Sequence, residues 1–194
     1  MRIKIVFFSV MNDVLCIFLE KQELPFMVLA NAISLGDSLS LLSKKTVGIS
    51  AKEYYAEQLY SVTREKNIID VVYVMLLPEI ICTKKQMPLW KTIDTAIKTS
   101  PDRETISYAL QRLRWKIEYT NVVYSLLPEE FTLSDLQKLY EAILGKSLDK
   151  RNFRKKMLSL QFLRPTNKKR IQSARPATLY VFKKREPTFI KVFS

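Results

Sequence analysis

The chain has 194 residues, of which 47% are hydrophobic, and a formal net charge of +13, so it is long and apolar enough to bury a core in one or two domains. It has no histidine and two distant cysteines, Cys16 and Cys82, which excludes imidazole chemistry and argues against a disulfide framework, a metal site or a metal cofactor. No apolar run reaches the about 18 residues of a membrane span, and MRIKIVFFSV lacks a signal-peptide cleavage site, so we expect a cytoplasmic protein with reduced thiols.

The N-terminal half is predicted to combine strands with one helix. Two segments joined by MND, IKIVFFSV and VLCIFLEK, are rich in β-branched and aromatic residues, as strands are. Two more strands are indicated by YYAEQLYSV and IIDVVYVMLL. Before them, GDSLSLLSKK predicts a short helix after Gly36, capped by Asp37 or Ser38. Strands around a helix predict an α+β fold for this half.

The middle of the chain changes character, which indicates a domain boundary. Residues 78–100 contain two prolines and little hydrophobic period. We therefore expect a first domain at 1–90, a linker at 91–100 and a second domain at 101–194. The second domain is predicted to open with a helix that has Ser100 as N-cap and Pro101 at its first position.

Three helices are predicted in the second domain. The first carries a buried stripe at helical spacing, made of Ile106, Ala109, Leu110, Leu113 and Ile117. The next, FTLSDLQKLYEAIL, has Thr132 as cap, Asp135 in the position of a capping box and Gly145 at its end. The third follows Asp149 and lies within LDKRNFRKKM, where Phe153, Met157 and Leu160 share one face.

The basic residues are concentrated at the C-terminal end. From Lys146 onward there are 15 lysines and arginines and two acids, Asp149 and Glu186. A positive electrostatic field concentrated at one end of the chain favours binding of a polyanion, usually nucleic acid. In the third helix the apolar residues fasten one face, so the opposite face becomes a cationic ridge. Its candidate DNA contacts are Lys150, Arg151, Asn152, Arg154 and Lys155. The alternative is a merely solvated helix face.

A basic hairpin is predicted to follow the third helix. FLRPT and ATLYVFKK indicate two strands, and NKKRIQSARP between them indicates a loop. Helix, short turn, helix and hairpin together are typical of a winged helix-turn-helix, whose second paired helix enters the major groove. We expect phosphate or minor-groove contacts from the loop residues Lys168, Lys169, Arg170 and Arg175. A flexible basic loop without that role is the alternative.

The second half of the sequence resembles a known family. The segments LLPEEFTLSDLQKLYEAILG, LDKRNFRKKM and RPATLY closely resemble the C-terminal domain of NrtR-type regulators, Nudix-related transcriptional regulators of bacteria, over about residues 103–183. The resemblance implies a winged helix that binds double-stranded DNA, a homodimer and regulation of transcription, with repression as the expected direction.

The first half resembles the Nudix-like sensor domain of the same family. IVFFSVMNDVLCIFLEKQELPF is similar to its first hairpin, and LGDSL to the start of the Nudix helix. Family members bind ADP-ribose or related nucleotides, so the resemblance implies an ADP-ribose-like effector. Active Nudix enzymes hold Mg²⁺ with carboxylates along that helix. Here the stretch reads SLLSKKTVG without an acid, so no catalytic residue is predicted.

We therefore expect a degenerate Nudix-like α/β sandwich followed by a winged helix-turn-helix, acting as a sequence-specific DNA-binding transcriptional regulator and not as an enzyme. Two alternatives remain at this point. One is a Nudix-type hydrolase with a basic C-terminal domain. The other is a DNA-binding protein that responds to no ligand.

Overall fold

The computed structural model describes residues 1–29, 33–63, 67–171, 176–190 and 192. In these ranges the strands are β1 (Arg2–Met11), β2 (Val14–Phe18), β3 (Phe26–Val28), β4 (Ala56–Thr63), β5 (Ile69–Leu76), β6 (Trp90–Thr92), β7 (Phe131–Thr132), β8 (Leu163–Arg170) and β9 (Ala177–Phe182). The helices are α1 (Leu35–Val47), α2 (Ile93–Thr99), α3 (Arg103–Tyr119), α4 (Leu133–Leu144) and α5 (Lys150–Ser159). Within the same ranges, no helix has the length and apolar character needed to cross a membrane.

The first sheet contains six strands in the order β4-β5-β1-β2-β6, with β3 beside the start of β1. β1 and β5 run parallel, and the other pairs are antiparallel. The four strands predicted in this half are confirmed. The β1–β2 hairpin turns at Asn12 and Asp13, both in the left-handed region (φ 48° and 64°), where these residue types are tolerated.

Helix α1 begins earlier than the sequence pattern predicts. Its N-cap is Ser34, whose Oγ accepts a hydrogen bond from the Asp37 N–H at 3.1 Å. The predicted caps Asp37 and Ser38 are therefore wrong, because the helix already includes Leu35 and Gly36. Asp37 instead lies in the first turn, where its carboxylate accepts from Ser34 Oγ and Lys52 Nζ. These contacts, the first of them above all, lower the pKa of Asp37.

Alternate residues of β1 face two different cores. Ile3, Ile5 and Phe7 point toward α1 and pack with its Leu39 and Leu42. Val6 and Phe8 point the other way, into a second core that contains α2, α3 and the winged helix. Because successive strand side chains alternate between faces and both faces are covered, the run from Ile5 to Phe8 is continuously apolar. The sheet is thus covered on both sides, as the predicted α/β sandwich requires.

The segment expected as a linker has regular structure. Residues 90–92 form β6, which pairs with β2 at the edge of the first sheet. Thr92 then caps α2, since its Oγ1 accepts from the Thr95 N–H. Residues 91–100 therefore have regular structure that the sequence pattern did not predict, and their role as a linker stays a prediction. The apolar positions Ile93 and Ala96, both buried, gave too short a pattern to reveal a seven-residue helix. The domain bounds at 90 and 101 stay a prediction.

Helix α3 starts three residues after its predicted cap. Ser100 ends α2, and its Oγ accepts from the Asp102 N–H, so the helix begins at Arg103. Asp102 has another task, since its carboxylate accepts from Lys4 Nζ at 2.7 Å and from the Leu24 N–H at 2.9 Å. Lys4 lies in β1, and Leu24 lies between β2 and β3. Both are far from Asp102 along the chain, so no local sequence pattern could reveal these contacts.

The buried stripe of α3 is confirmed and connects the two halves of the chain. Ile106, Ala109, Leu110, Leu113 and Ile117 are all buried in one core. That same core includes strand residues of the first sheet and residues of α4, α5, β8 and β9. One continuous apolar core therefore runs through α3 from the sheet to the winged helix.

The end of the chain returns to α3 as a strap, which we define as residues 186–190 and 192. Asn121 is buried and holds it on both sides, since its Oδ1 accepts from the Thr188 N–H at 2.7 Å and its Nδ2 donates to the Glu186 carbonyl at 3.1 Å. Val192 is fully buried in the shared core. The strap thus fixes the end of β9 against α3.

Both cysteines lie free in the first domain, as expected. Cys16 stands opposite Ser9 in the β1–β2 pair, and Cys82 Sγ lies 3.7 Å from Ser9 Oγ. Burial raises the pKa of Cys82 to about 11. Only the thiolate is a good nucleophile, so the thiol of Cys82 is nearly inert at neutral pH.

We predict a single cooperative unfolding transition for the full chain, because the first sheet shares one apolar core with the second sheet, whose strand order is β7-β9-β8. Differential scanning calorimetry should give one peak whose calorimetric and van't Hoff enthalpies agree. Two resolved transitions would show that the shared core does not couple the unfolding of the two sheets.

We also predict that iodoacetamide alkylates Cys82 at pH 8 about 100-fold more slowly than a thiol of ordinary pKa. Raising the pH should accelerate the reaction up to about pH 11, provided the fold persists. Peptide mass mapping with Cys82→Ser as control reads out the site. Rapid alkylation at pH 8 would show that the thiol is not buried as described.

Candidate nucleic-acid interface

Helix α4 is closed at both ends as the sequence predicts. At its start Thr132 Oγ1 accepts from the Asp135 N–H at 3.1 Å, and Asp135 Oδ2 accepts from the Thr132 N–H at 2.8 Å, which forms the capping box. At its end Gly145 adopts φ 70°, a left-handed conformation that costs glycine little. The length of α4 is therefore fixed by local chemistry.

The turn between α4 and α5 is held by side chains of α4. Glu141 Oε1 accepts from the Leu148 N–H at 2.8 Å, and Gln137 Nε2 donates to the Leu148 carbonyl at 2.9 Å. From α3, Arg114 Nε donates to the Ile143 carbonyl at 2.9 Å, near the end of α4. Three polar contacts thus set the angle at which α5 leaves the turn.

Helix α5 is anchored by one apolar face. Asp149 caps it by accepting from the Asn152 N–H at 2.8 Å, as predicted. Phe153 and Met157 are buried, and the Phe153 ring meets the Tyr140 ring edge to face at 5.4 Å. The predicted core role of these two residues is confirmed. Leu160 is only half-buried and lies at the C-cap.

The opposite face of α5 is polar and cationic. The structure brings together the five predicted contacts on it, all exposed: Lys150, Arg151, Asn152, Arg154 and Lys155. Among the described residues, no carboxylate lies within 4.0 Å of the four cations. Their charges are therefore unneutralised by the protein and point into solvent.

The hairpin after α5 is longer than predicted. β8 pairs with β9 from Leu163↔Phe182 to Arg170↔Ala177, with a register shift between Pro165 and Lys169. Lys168, Lys169 and Arg170 therefore lie in a strand, and their assignment to a loop is wrong. The consecutive polar residues Asn167, Lys168, Lys169 and Arg170 leave no apolar period, so the sequence pattern did not reveal this strand. Arg175 lies outside the described residues.

Two cations of the hairpin already have acidic partners. Lys168 Nζ lies 2.9 Å from Glu130 Oε1, and Arg170 Nη1 lies 2.8 Å from Asp135 Oδ2. Lys169 is exposed. The sequence predicted the capping role of Asp135 but missed this second contact, since the two residues are 35 positions apart. The Arg170–Asp135 pair ties the hairpin to the start of α4.

These side chains carry hydrogen-bond donors that suit the bases and phosphates of a DNA duplex. Arginine and lysine donate to guanine O6 and N7, and asparagine pairs with adenine N6 and N7. The remaining cations suit phosphate oxygens. In the described ranges, no group of three acidic or cysteine side chains is placed to hold a metal ion.

Comparison with known proteins agrees with this geometry. Residues 123–182 match the family model of the NrtR DNA-binding winged helix domain. A curated relative from Acinetobacter baylyi, named ADPR responsive transcriptional repressor NtrR, is 38% identical over 96 residues. That match spans 48% of this chain and only 38% of the relative.

Solved structures extend the likeness to the whole described fold. Shewanella oneidensis NrtR, crystallised with a 27mer DNA, has a TM-score of 0.80 and 25% identity, with 94% of this chain and 93% of that chain covered. A MutT/nudix family protein from Enterococcus faecalis has a TM-score of 0.70 and 20% identity. The likeness covers 94% of this chain and 87% of the E. faecalis chain. The second likeness concerns the fold alone. A Nudix-like domain followed by a winged helix is therefore confirmed.

We predict that Thr132→Ala lowers the free energy of unfolding by about 1 kcal/mol, because it removes the side-chain half of the capping box. Urea denaturation measures the change. Ser134→Ala, an exposed position two residues along, is the matched control and should stay within about 0.5 kcal/mol of wild type. Equal losses of unfolding free energy in both variants would contradict the capping role of Thr132.

Proposed function

We propose that this protein, a Nudix-like domain joined to an NrtR-type winged helix, is a sequence-specific DNA-binding regulator that represses transcription. The observation that carries the proposal is the exposed face of α5, a helix fixed by its core anchors. On this face four cations and Asn152 have no acidic partner within 4.0 Å among the residues that the structure describes. The A. baylyi relative is named a transcriptional repressor, and the S. oneidensis relative was crystallised with DNA. Both names support the proposal.

In this proposal α5 enters the major groove and the hairpin lies beside it. The N-terminal half of a recognition helix contacts base edges, which gives Arg151 and Arg154 the sequence-reading role together with Asn152. Lys150 and Lys155 contact phosphates. The hairpin contributes Lys168, Lys169, Arg170 and Arg175 to phosphate or minor-groove contacts. DNA phosphates then compete with Glu130 and Asp135 for two of these cations.

The protein would act as a homodimer in the cytoplasm. A two-fold dimer presents two recognition helices about one turn of DNA apart, roughly 34 Å, so the operator should be partly palindromic with that spacing. The Nudix-like domain, taken as residues 1–90, would carry the dimer contacts and sense an ADP-ribose-like nucleotide. The name of the A. baylyi relative, ADPR responsive, supports that class of effector. No cofactor or membrane is required.

The first domain would bind its effector without hydrolysing it. In active Nudix enzymes several carboxylates along one helix hold Mg²⁺ and help to activate water. In α1 the single carboxylate is Asp37, which is exposed and engaged with Ser34 and Lys52. The positions of α1 that follow it are serines, leucines, lysines, a threonine and a valine.

We predict no hydrolysis of ADP-ribose by the full chain with Mg²⁺, because α1 offers one carboxylate where the reaction needs a cluster. Release of AMP is followed by chromatography, with an active ADP-ribose hydrolase as positive control. Mg²⁺-dependent turnover that co-purifies with the chain would contradict the proposal and favour a hydrolase, and its loss in Asp37→Asn would place the reaction at α1.

We predict that Arg151→Ala and Arg154→Ala each weaken specific DNA binding by about 1–3 kcal/mol, since each removes a base contact. Lys52→Ala is the matched control, because Lys52 is an exposed cation of the first domain, remote in sequence from α5. Fluorescence anisotropy with operator DNA and excess competitor measures all three. Equal losses in the three variants would overturn the assignment of α5 as the recognition helix.

A further inference from the structure

A cavity of about 430 Å³, here called the cleft, opens between the first sheet and the winged helix. The β1–β2 hairpin and the 3-10 turn Glu79–Ile81 form its wall on the side of the first sheet. Leu127, α4 and the end of β8 form the opposite wall. The cleft therefore touches both the proposed sensor domain and the proposed DNA-binding hairpin. Its volume lies within the range of small-molecule sites.

Much of the lining of the cleft is apolar. Leu127 and Leu139 contribute buried carbon surface on the side of the winged helix. Across from them Ile80 is 84% exposed, although isoleucine is among the residues most often buried. A ligand with an apolar body would cover Ile80 and gain the free energy that removing its side chain from water provides.

The charged groups of the cleft are mainly acidic. Asp13, Glu79 and Asp135 face it, against one cation, Arg170. Two of these acids have partners, since Asp13 pairs with Lys138 at 2.6 Å and Asp135 pairs with Arg170. Glu79 is exposed and has no lysine or arginine within 4.0 Å among the residues that the structure describes. With Asp13 and Asp135 neutralised by their partners, Glu79 is the carboxylate of the described lining that is left available, and it disfavours an anionic group beside it.

We propose that the cleft binds a small amphipathic amine. The ammonium group pairs with Glu79, and the apolar body lies between Ile80 and Leu127. The acidic lining disfavours a nucleotide diphosphate, so this ligand differs in class from the proposed nucleotide effector. The site is also separate from the exposed face of α5.

The location of the cleft lets a bound ligand affect the hairpin that is proposed to contact DNA. Asp135 lines the cleft while it holds Arg170 and the N-terminus of α4. Asp13 lines the other side while it holds Lys138 of α4. An ammonium ion beside Glu79 adds a positive charge to the cleft that Asp13 and Asp135 also line, and this charge weakens the ion pairs that fix the hairpin and α4.

Binding is tested on the full chain without DNA, so the result does not depend on the proposed regulatory function. The probes for isothermal titration calorimetry are phenethylamine and tryptamine, each compared with an acid of similar shape, 3-phenylpropionate and indole-3-propionate. We expect saturable binding of at least one amine with a Kd below about 1 mM and no binding of either acid.

Variants on the surface turn locate the site without disturbing the core. Glu79→Gln should weaken amine binding about 10-fold, as expected for a lost charge-assisted hydrogen bond, and Ile80→Ser should weaken it by a similar factor. Glu118→Gln, an exposed acid on α3, is the control and should bind as wild type does. Failure of both amines to bind, equal binding of amines and acids, or unchanged affinity in Glu79→Gln would each overturn the proposal.

Discussion

The rest of the structure depends on the packing of one helix, α3, between the first sheet and the winged helix. Its buried stripe shares a single apolar core with Val6 and Phe8 of the sheet and with Leu136 of α4 and Phe153 of α5. Protein interiors are close-packed, so elements that share a core hold fixed positions relative to one another. The cationic face of α5 is therefore set at a fixed orientation relative to the Nudix-like domain.

Polar contacts outside the core complete the joint between the domains. Lys138 of α4 reaches Asp13 at the tip of the β1–β2 hairpin, and Ser125 Oγ accepts from the Tyr55 N–H. Arg185, just past β9, donates to the Tyr124 and Leu127 carbonyls, and burial lowers its pKa. The exposed Lys138–Asp13 pair can be broken at small cost, whereas the Tyr55–Ser125 hydrogen bond is buried and costly to lose.

Local chemistry makes much of the winged helix predictable from sequence. The capping box at Thr132, the left-handed Gly145, the cap at Asp149 and the anchors Phe153 and Met157 all follow from interactions within a few residues. Together these features predict that the five polar residues of α5 share one exposed face, as they do. Four strands of the first sheet are also visible in the sequence, because both faces of the sheet are covered and β1 and β5 contain continuous apolar runs. The short strands β3 and β6 were not predicted.

What sequence reasoning missed depends on distant partners. Asp102 is the N-cap residue of α3 and also binds Lys4 and Leu24, and so displaces the expected start at Ser100. Asp135 serves both a cap and Arg170. The strand at Lys168–Arg170 is specified by pairing with β9 and not by its own composition. Each of these features needs contacts with partners far along the chain, which local propensity and periodicity do not contain.

The central claim is that the cationic face of α5 reads a DNA sequence and does not merely attract phosphate. The most direct measurement is fluorescence anisotropy of the full chain with the DNA upstream of its own gene, in excess competitor DNA and over a salt series. The account predicts saturable binding that survives competitor near physiological salt. If binding to this DNA vanishes with competitor and falls steeply with salt, the measurement is repeated on operator candidates selected from the whole genome. The same loss of binding on those candidates would contradict the claim.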